Sequence, residues 1–290
     1  MPPLPPPTLD DRPLEPGLYL VSTPIGNLRD VTLRALDVLA RADLVLAEDT
    51  RVGARLLNAY GLKAPLRRYD DHAAEAVRPQ VLEKLAQGAR VALISDAGSP
   101  LVSDPGYKLA QAAIAQGTPV IPVPGASAVL AGLVAAGLPT DRFLFVGFPP
   151  PRRAARRAVL AELEPVCATL VFFEGASRIG ESLKDMAEVL GPRPAAVARE
   201  LTKLHETVVR GPLDVLAADP ALQAPKGEVV VLVGPREQAA ASAADAEAAL
   251  KEALTRLGPA EAASEVARAT GLNRRELYRQ AVALKSGHDR

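Results

Sequence analysis

The stretch VALISDAGSPLVSDPG, from Val91 to Gly106, decides the fold. Its first four residues form an unbroken apolar run, which is typical of a β-strand covered on both faces. The run breaks into serine, aspartate, glycine and proline, and Asp104-Pro105 predicts the start of a helix with the aspartate as N-cap. Open α/β sheets build ligand sites from such strand–loop–helix segments. Because ordinary connections of this kind have about 2–6 residues, we predict that this longer loop forms the floor of a cofactor pocket.

Strands and helices alternate on both sides of this stretch. We expect Asp30 to cap the first helix, which carries leucines at helical spacing. The other strands predicted in this part are Gly17–Thr23, Leu44–Ala47, Pro119–Val123 and Phe143–Phe148. The alternation predicts a first α/β domain over residues 17–149 with a largely parallel sheet. Three prolines at 149–151 mark its boundary.

Three further segments complete the predicted organisation. A second α/β domain covers residues 150–236, with strands at Thr169–Phe173, Ala195–Ala198, Glu206–Arg210 and Glu228–Val233. Residues 1–16 are rich in proline and predict a disordered tail. Residues 237–290 predict a linker followed by helices, one ending at Gly271 and the next starting at Asn273. This pair resembles a helix-turn-helix module, although a helical hairpin that caps a domain or a dimer surface would have the same pattern.

The composition excludes several classes of protein. Lysine plus arginine equals aspartate plus glutamate at 34 each, so no overall basic field indicates nucleic-acid binding. The single cysteine, Cys167, excludes an internal disulfide and fits a reducing compartment. No apolar segment is long enough to span a membrane, and the N-terminus does not resemble a signal peptide. We therefore expect a cytoplasmic protein with no membrane partner.

The residues after the first strand differ from the pattern of a dinucleotide-binding site. Glu48 and Asp49 follow Gly26 by 22 and 23 residues, a spacing that suits a carboxylate on a ribose hydroxyl. The first loop, however, reads TPIGN and lacks G-x-G-x-x-G, so a pyrophosphate has no close backbone to bind. NAD is therefore not the expected cofactor.

Eight motifs in order carry a resemblance to a known family. They are TPIGNLRDVTLRAL from Thr23, AEDTR from Ala47, SDAGSPLVSDPGY from Ser95, PVPGASA from Pro122, AGLPTDRFLFVGF from Ala136, FFEGASR from Phe172, ARELTKLHETVVRG from Ala198 and KGEVVVLV from Lys226. Together they resemble the bacterial 16S ribosomal RNA cytidine 2′-O-methyltransferases, which belong to the tetrapyrrole methylase superfamily of S-adenosylmethionine (SAM) enzymes. The resemblance extends from Gly17 to about Lys285. It implies two α/β domains of the tetrapyrrole methylase type with a cofactor cleft between them, a C-terminal helical module and a homodimer.

The resemblance also implies which residues bind SAM. By position in the motifs they are Pro24, Asp96, Ala97, Gly98, Ser127, Ala128, Phe172, Ala198, Gly227 and Glu228. In this interpretation AEDTR faces the substrate, and Glu48 is not a cofactor ligand. The chain departs from the family at Ala176-Ser177, where proline and histidine are usual, and near His72, where the usual histidine–asparagine pattern is incomplete.

Methyl transfer to a ribose 2′-hydroxyl needs no metal, but the weakly acidic hydroxyl benefits from a base or a nearby cation. Asp49, in AEDTR, and Glu206, in ARELTKLHETVVRG, are further candidates for this assistance. Our hypothesis is that Arg51 and Lys203 bind RNA phosphate or stabilise the developing alkoxide, and that His72 or Glu48 accepts the proton. An idle surface histidine and an ordinary solvated lysine are the alternatives for His72 and Lys203.

Two basic clusters are candidates for RNA contacts. Arg152, Arg153, Arg156 and Arg157 form two i,i+4 pairs on a predicted helix, and Arg274, Arg275 and Arg279 lie on the last helix. A solvated helix face is the alternative for each cluster. Because aromatic residues make up only 3% of the chain, recognition should depend on RNA shape and backbone more than on base stacking.

Three functions remain open at this point. The first is SAM-dependent 2′-O-methylation of a cytidine in 16S ribosomal RNA, with the RNA or the small ribosomal subunit as partner. The second is methylation of a tetrapyrrole-like small molecule on the same fold, which would not require AEDTR, the arginine clusters or the helical tail. The third is a helix-turn-helix regulator with a metabolite-sensing domain, which predicts binding to specific duplex DNA.

Overall fold

The computed structural model describes residues 12–223, 225–236, 243–270 and 272–287. The chain divides into two compact units, the first ending at Gly234 and the second beginning at Pro235. Most of the predicted tail, residues 237–242 of the predicted linker and the predicted helix stop at Gly271 lie outside the described residues. Two residues of the predicted tail contact the first unit: Leu14 packs against its core, and the Glu15 carbonyl accepts a hydrogen bond from the Tyr19 hydroxyl at 2.6 Å.

The first sheet is parallel and has five strands in the order β3-β2-β4-β1-β5. Its strands are β1 (Gly17–Val21), β2 (Leu44–Ala47), β3 (Leu66–Arg68), β4 (Arg90–Ile94) and β5 (Val120–Val123). The central strand β4 is buried from Val91 to Ile94, as its continuous apolar run predicts. The short β3, with only Leu66 as an apolar residue, was not predicted.

Four helices accompany this sheet. They are α1 (Leu33–Arg41), α2 (Thr50–Ala59), α3 (Ala74–Ala86) and α4 (Tyr107–Ala115). Two predicted caps are wrong. Thr32, not Asp30, caps α1 by accepting a hydrogen bond from the Ala35 amide. Asp104 does not cap α4, because Gly106 occupies the N-cap position with φ +123° and no side chain caps this helix.

The second sheet is mixed and has the order β6-β7-β10-β8-β9. Its strands are β6 (Phe143–Gly147), β7 (Thr169–Gly175), β8 (Pro194–Arg199), β9 (Thr207–Pro212) and β10 (Glu228–Val233). Only the β6–β7 pair is parallel. We predicted that β6 closes the first sheet, which is wrong: it pairs with β7, and the rings of Phe145 and Phe173 meet edge to face at 4.8 Å.

The helix α5 (Ala128–Ala136) joins the two sheets. It starts just after β5 of the first sheet, yet Val129, Leu133 and Ala136 pack against the second sheet in one core with Val230. A Cβ added at Gly132 would lie 3.2 Å from the Val230 side chain, so glycine permits this close approach. Three more helices cover the other face of the second sheet: α6 (Arg153–Leu163), α7 (Ile179–Leu190) and α8 (Leu213–Ala218). The predicted division between residues 149 and 150 stays a prediction.

The second unit is helical, as predicted. Its helices are α9 (Ala243–Leu254), α10 (Pro259–Thr270) and α11 (Arg274–Gly287). They share a small core that includes Leu250, Val266 and Leu277. The Asn273 side chain accepts a hydrogen bond from the Arg275 amide at 2.9 Å, so it caps α11 where the sequence predicts a helix start. Within the described ranges, none of the helices combines the length and apolarity that crossing a membrane requires.

Candidate active site

A cavity of about 470 Å³ lies where loops at the carboxyl ends of the first-sheet strands meet the second sheet. This is where open α/β sheets bind ligands. The first-sheet side contributes Ile25, Glu48, Asp96, Ala97, Gly98, Ser99, Val102, Ser103, Asp104, Ser127, Ala128 and Val129. The second-sheet side contributes Phe148, Phe173, Glu174, Gly175, Ala198, Leu201, Gly227, Glu228, Val229 and Val230. The long loop after β4 therefore does form part of a pocket, as its length predicts.

Hydrogen bonds hold this long loop against the end of β1. Thr23 and Gly98 form an isolated antiparallel bridge, and the Thr23 hydroxyl donates to the Ser95 carbonyl at 3.1 Å. The Ser95 hydroxyl donates to the Gly98 carbonyl at 3.1 Å. Further along, Leu101 and Ser103 have φ values of +73° and +62°. Left-handed backbone at non-glycine residues is costly and persists where the surroundings enforce it.

A second strained loop, after β8, closes the opposite side. Glu200 and Thr202 have φ values of +53° and +66°. The Lys203 ammonium lies 2.9 Å from Glu200 Oε1 and 2.7 Å from Glu228 Oε2. Its side chain lies so close to Gly26 that a Cβ there would be 2.4 Å from Lys203 Cγ. Lys203 thus links the loop after β1 to the edge of β10.

All charged residues that line the cavity are acidic: Glu48, Asp96, Asp104, Glu174 and Glu228. Two of them have cationic partners. Glu174 pairs with Arg178 at 2.6 Å, and Glu228 pairs with Lys203. The Asp96 carboxylate accepts a hydrogen bond from the Asp49 amide at 3.0 Å, which ties the loop after β4 to the end of β2. The cavity therefore carries a negative field that favours a cationic ligand.

Burial and like charge perturb two of these carboxyl groups. Burial raises the pKa of Asp104 to about 6, the nearby Ser95 hydroxyl lowers it, and the negative charge of Asp96 adds to the rise. Burial also raises the pKa of Glu48, and the negative charge of Asp104 adds to the effect. Perturbed carboxyl groups inside a cavity are typical of functional sites.

Comparison with known protein families identifies the family to which this fold belongs. Residues 17–217 match the family model of tetrapyrrole (corrin/porphyrin) methylases. The chain belongs to the tetrapyrrole methylase family. Residues 240–285 of this tetrapyrrole methylase match a second model, the RsmI C-terminal HTH domain. The predicted family, fold class and methyltransferase activity are thereby confirmed.

Curated relatives of this tetrapyrrole methylase share one name. It is 50% identical over 276 residues to the ribosomal RNA small subunit methyltransferase I of Mesorhizobium japonicum, covering 94% of each chain. It is also 50% identical to the enzyme of the same name from Erythrobacter litoralis, covering 95% of this chain and 98% of the relative.

Two solved structures show the same fold. A cobalt precorrin-4 methyltransferase matches with a TM-score of 0.56 at 20% identity, covering 75% of this chain and 94% of that chain. The uroporphyrin-III-C-methyltransferase from Thermus thermophilus matches with a TM-score of 0.53 at 25% identity, covering 74% of this chain and 93% of that chain.

The structure brings together most of the residues expected to bind the cofactor of this methylase. Eight of them line the cavity: Asp96, Ala97, Gly98, Ser127, Ala128, Ala198, Gly227 and Glu228. Pro24 is not among the lining residues, although its neighbour Ile25 is. Phe172 is fully buried in the core on the helix-covered face of the second sheet, and Phe173 lines the cavity instead. Adjacent strand residues point to opposite faces, so only one of the two can reach the site.

The four predicted catalytic residues do not all converge. Glu48 lines the cavity, whereas Arg51, His72 and Lys203 are absent from its lining. Arg51 is exposed and pairs at 2.6 Å with Asp49, the N-cap of α2. His72 is exposed in the turn before α3. Lys203 is not an ordinary solvated lysine, because it pairs with two carboxylates, Glu200 and Glu228, and Glu228 lines the cavity.

The arginines of α6 do not form the predicted open patch. Arg156 is only 1% exposed, and its Nη2 atom lies 2.6 Å from Asp185 Oδ2 on α7. Arg153 and Arg157 also pair with Asp185, so three of the four arginines serve the α6–α7 packing. Arg152, just before α6, is exposed. The exposed arginines of α11 are Arg274, Arg275 and Arg279, the last of which lies 3.8 Å from Glu276.

Several cavity residues were missed by the sequence analysis. Asp104 was predicted as a helix cap, and Phe148, Phe173, Glu174 and Leu201 were given no role. Local sequence carries no signal for these two aromatic residues, because Phe173 follows an equally apolar Phe172 and Phe148 is followed by prolines. No local signal could place Asp104, since its role depends on the backbone of Gly106.

Proposed function

We propose that this chain transfers a methyl group from SAM to the ribose 2′-hydroxyl of a cytidine in the 16S RNA of the small ribosomal subunit. The observation that carries the proposal is the acidic cavity, placed in a chain that aligns over 94% of its length with a ribosomal RNA methyltransferase. The structural likeness to corrinoid and porphyrin methylases concerns the fold at 20–25% identity, and therefore supports the small-molecule alternative less.

The cavity fits SAM in size and in charge. A volume of about 470 Å³ lies within the range of ordinary small-ligand pockets. Glu48, Asp96 and Asp104 offer negative charge to a donor that carries a sulfonium and an ammonium group. Phe148 and Phe173, whose rings are 5.5 Å apart, provide an apolar wall for a purine. Gly98 and Gly227 let backbone groups come close to a ligand.

When bound, SAM supplies a methyl group on a sulfonium, whose transfer forms an oxygen–carbon bond as the sulfur–carbon bond breaks and leaves a neutral thioether. Alignment by the cavity walls is then the main contribution of the protein, worth about 7–11 kcal/mol in well-oriented systems. Of the predicted catalytic residues, Glu48 is the one on the cavity wall, where its carboxylate contributes negative charge. Arg51 is exposed at the start of α2 and is suited to bind RNA phosphate. His72 is also exposed and is suited to bind phosphate as well. Lys203 acts by holding the Glu228 edge of the cavity.

RNA binding is assigned to exposed cations outside the cavity. Arg274, Arg275 and Arg279 lie on the last helix of the helix-turn-helix unit, and Arg152 lies at the start of α6. Their contacts to phosphate would make affinity strongly dependent on salt. An enzyme of ribosomal RNA works where bacterial ribosomes assemble, so the proposed location is the cytoplasm.

A homodimer is the proposed assembly. The helix α5 is apolar on all sides, and its face away from the second sheet exposes Leu130 and Val134, the latter by 77%. Ile114 of α4 and Leu144 of β6 are further exposed apolar residues of the same unit. Contiguous apolar patches indicate protein interfaces, and Leu130 and Val134 are neighbours one helical turn apart. Sedimentation of the purified chain distinguishes a dimer from a monomer.

The decisive experiment maps ribosomal RNA by mass spectrometry. Cells that lack this chain should lose one cytidine 2′-O-methyl group in 16S RNA, and the full chain should restore it. Calorimetry on the purified protein should show SAM binding for the full chain and for a variant that ends at residue 239. Loss of RNA methylation in that truncated variant, with SAM binding retained, would support RNA as the substrate. Unchanged RNA in the deletion cells would refute the proposal.

A further inference from the structure

Asp104 does not have the helix-capping role that its sequence suggests. Asp-Pro-Gly before a helix normally makes the aspartate an N-cap. Here α4 begins at Tyr107, Gly106 is the N-cap, and no side chain accepts a hydrogen bond from the first turn. Asp104 instead lines the cavity.

The backbone around Asp104 is constrained on both sides. Ser103 has φ +62°, and Gly106 has φ +123°. A Cβ at Gly106 would lie 2.5 Å from Leu93 Cδ2, so the loop is pressed against the central strand. The Ser103 hydroxyl lies 3.3 Å from the Cβ position of Gly147, at the end of β6. Strain of this kind is retained at sites where it fixes the position of a functional group.

The surroundings of Asp104 favour a neutral form without supplying a cation. The negative charge of Asp96, on the same loop, raises the pKa of Asp104. The negative charge of Asp104 in turn raises the pKa of Glu48, at the end of β2. The Ser95 hydroxyl stabilises its charged form. No lysine, arginine or histidine belongs to the cavity lining among the described residues. With a pKa of about 6, this carboxyl is largely ionised at neutral pH and is still a better base than an ordinary aspartate.

We propose that Asp104 is the catalytic base that accepts the proton of the acceptor hydroxyl, an assignment that rests on the proposed methyl transfer. The electron pair of the O–H bond stays on the oxygen and completes its bond to the methyl carbon. The proton moves to a carboxylate oxygen of Asp104 and then to solvent. Glu48 acts on this step only through its negative charge. His72 takes no part, because it is exposed and does not line the cavity.

The test uses the full chain, saturating SAM and small ribosomal subunits that lack the methyl group. The single-turnover rate of the wild type should rise with pH to a plateau as the carboxyl group ionises. The variant Asp104→Asn should bind SAM but react about 10²–10⁴-fold more slowly and lose this dependence. The matched variant Glu48→Gln should keep the pH-dependent limb.

A second measurement does not depend on turnover. In protein labelled with ¹³C at the aspartate carboxyl groups, the NMR signal that disappears in Asp104→Asn should titrate near pH 6 in the free wild type. Titration of that signal near pH 4 would overturn the assignment. So would an Asp104→Asn variant that reacts within threefold of the wild-type rate. If the wild type itself transfers no methyl group to the subunits, the proposed function fails and the assignment falls with it.

Discussion

Replacing Asp185 by asparagine should lower the free energy of unfolding, because this carboxylate neutralises a buried arginine. Asp185 is 2% exposed and Arg156 is 1% exposed. The Oδ2 atom of Asp185 accepts from Arg156 Nε at 2.8 Å, and its Oδ1 atom accepts from Arg153 Nε at 2.9 Å. Breaking a buried pair by removing one partner costs about 3–5 kcal/mol, since the other charge stays buried. An asparagine oxygen still accepts one hydrogen bond, so we expect about 3 kcal/mol.

Thermal and urea unfolding of the full chain measure this loss. For a unit of this size, about 3 kcal/mol corresponds to a fall in Tm of roughly 6–12 °C. Arg152→Ala is the matched control, because Arg152 is exposed at the start of the same helix and its loss should stay within about 0.5 kcal/mol. The double variant Arg156→Met with Asp185→Asn should be more stable than Asp185→Asn alone, because no buried charge remains unpaired. A loss below about 1 kcal/mol in the single variant, or no recovery in the double, would refute the reasoning.

The same pair predicts how stability depends on pH. Burial raises the pKa of Asp185, but the hydrogen bonds from Arg153 and Arg156 outweigh it and leave the pKa below its ordinary value. A carboxyl group with a lowered folded-state pKa stabilises the protein above its unfolded pKa, and this contribution is lost as the pH falls through the folded value. Asp185→Asn should therefore flatten the dependence of stability on pH below about pH 4.

Three further predictions concern the cavity rim and the RNA contacts. Gly227→Ala should weaken SAM binding at least tenfold in calorimetry, because its Cβ would lie 2.3 Å from Glu200 Oε1; Gly191→Ala, with φ +78° but open space around it, should leave binding unchanged. Lys203→Ala should weaken SAM binding severalfold, since Glu200 and Glu228 would lose their shared cation, and a crystal structure should show the Glu228 edge displaced. Arg152→Ala should reduce the slope of log affinity for 16S RNA against log salt by about 0.9, as filter binding measures it, and an unchanged slope would exclude a phosphate contact.

Local patterns in the sequence predict most elements of the fold. The apolar run of β4 and the polar loop after it are enough to place a pocket at the centre of the first sheet, because burial on both faces leaves no other place for such a strand. The placement of β6 failed for the opposite reason. Phe143–Gly147 follows the first sheet in the chain, and only its pairing with Thr169 and the residues beyond assigns it to the second sheet. Pairing partners are chosen by long-range packing, which local periodicity does not report.

The candidate site was predictable where motifs carry backbone geometry and unpredictable where side chains meet across the fold. Gly98 and Gly227 line the cavity as their motifs suggest. Arg156 was misread as a surface residue because its partner, Asp185, lies 29 residues away on another helix. In β7 two adjacent phenylalanines are equally apolar, so the sequence gives no reason to choose Phe173 over Phe172 as the residue that faces the cavity.

The distribution of charge indicates that the cavity binds the methyl donor and that residues outside the cavity bind the RNA phosphates. A cavity whose charged residues are all acidic attracts a cationic donor and repels the phosphates of an RNA strand. The acceptor ribose must therefore enter with its phosphates held outside, where Arg51 and Arg68 are exposed beside the ends of β2 and β3. Both arginines pair with aspartates, at 2.6 and 2.5 Å, so RNA phosphate has to compete with Asp49 and Asp70 for them. Such competition favours weak and readily reversible binding of RNA phosphate, which suits an enzyme that must release its modified RNA.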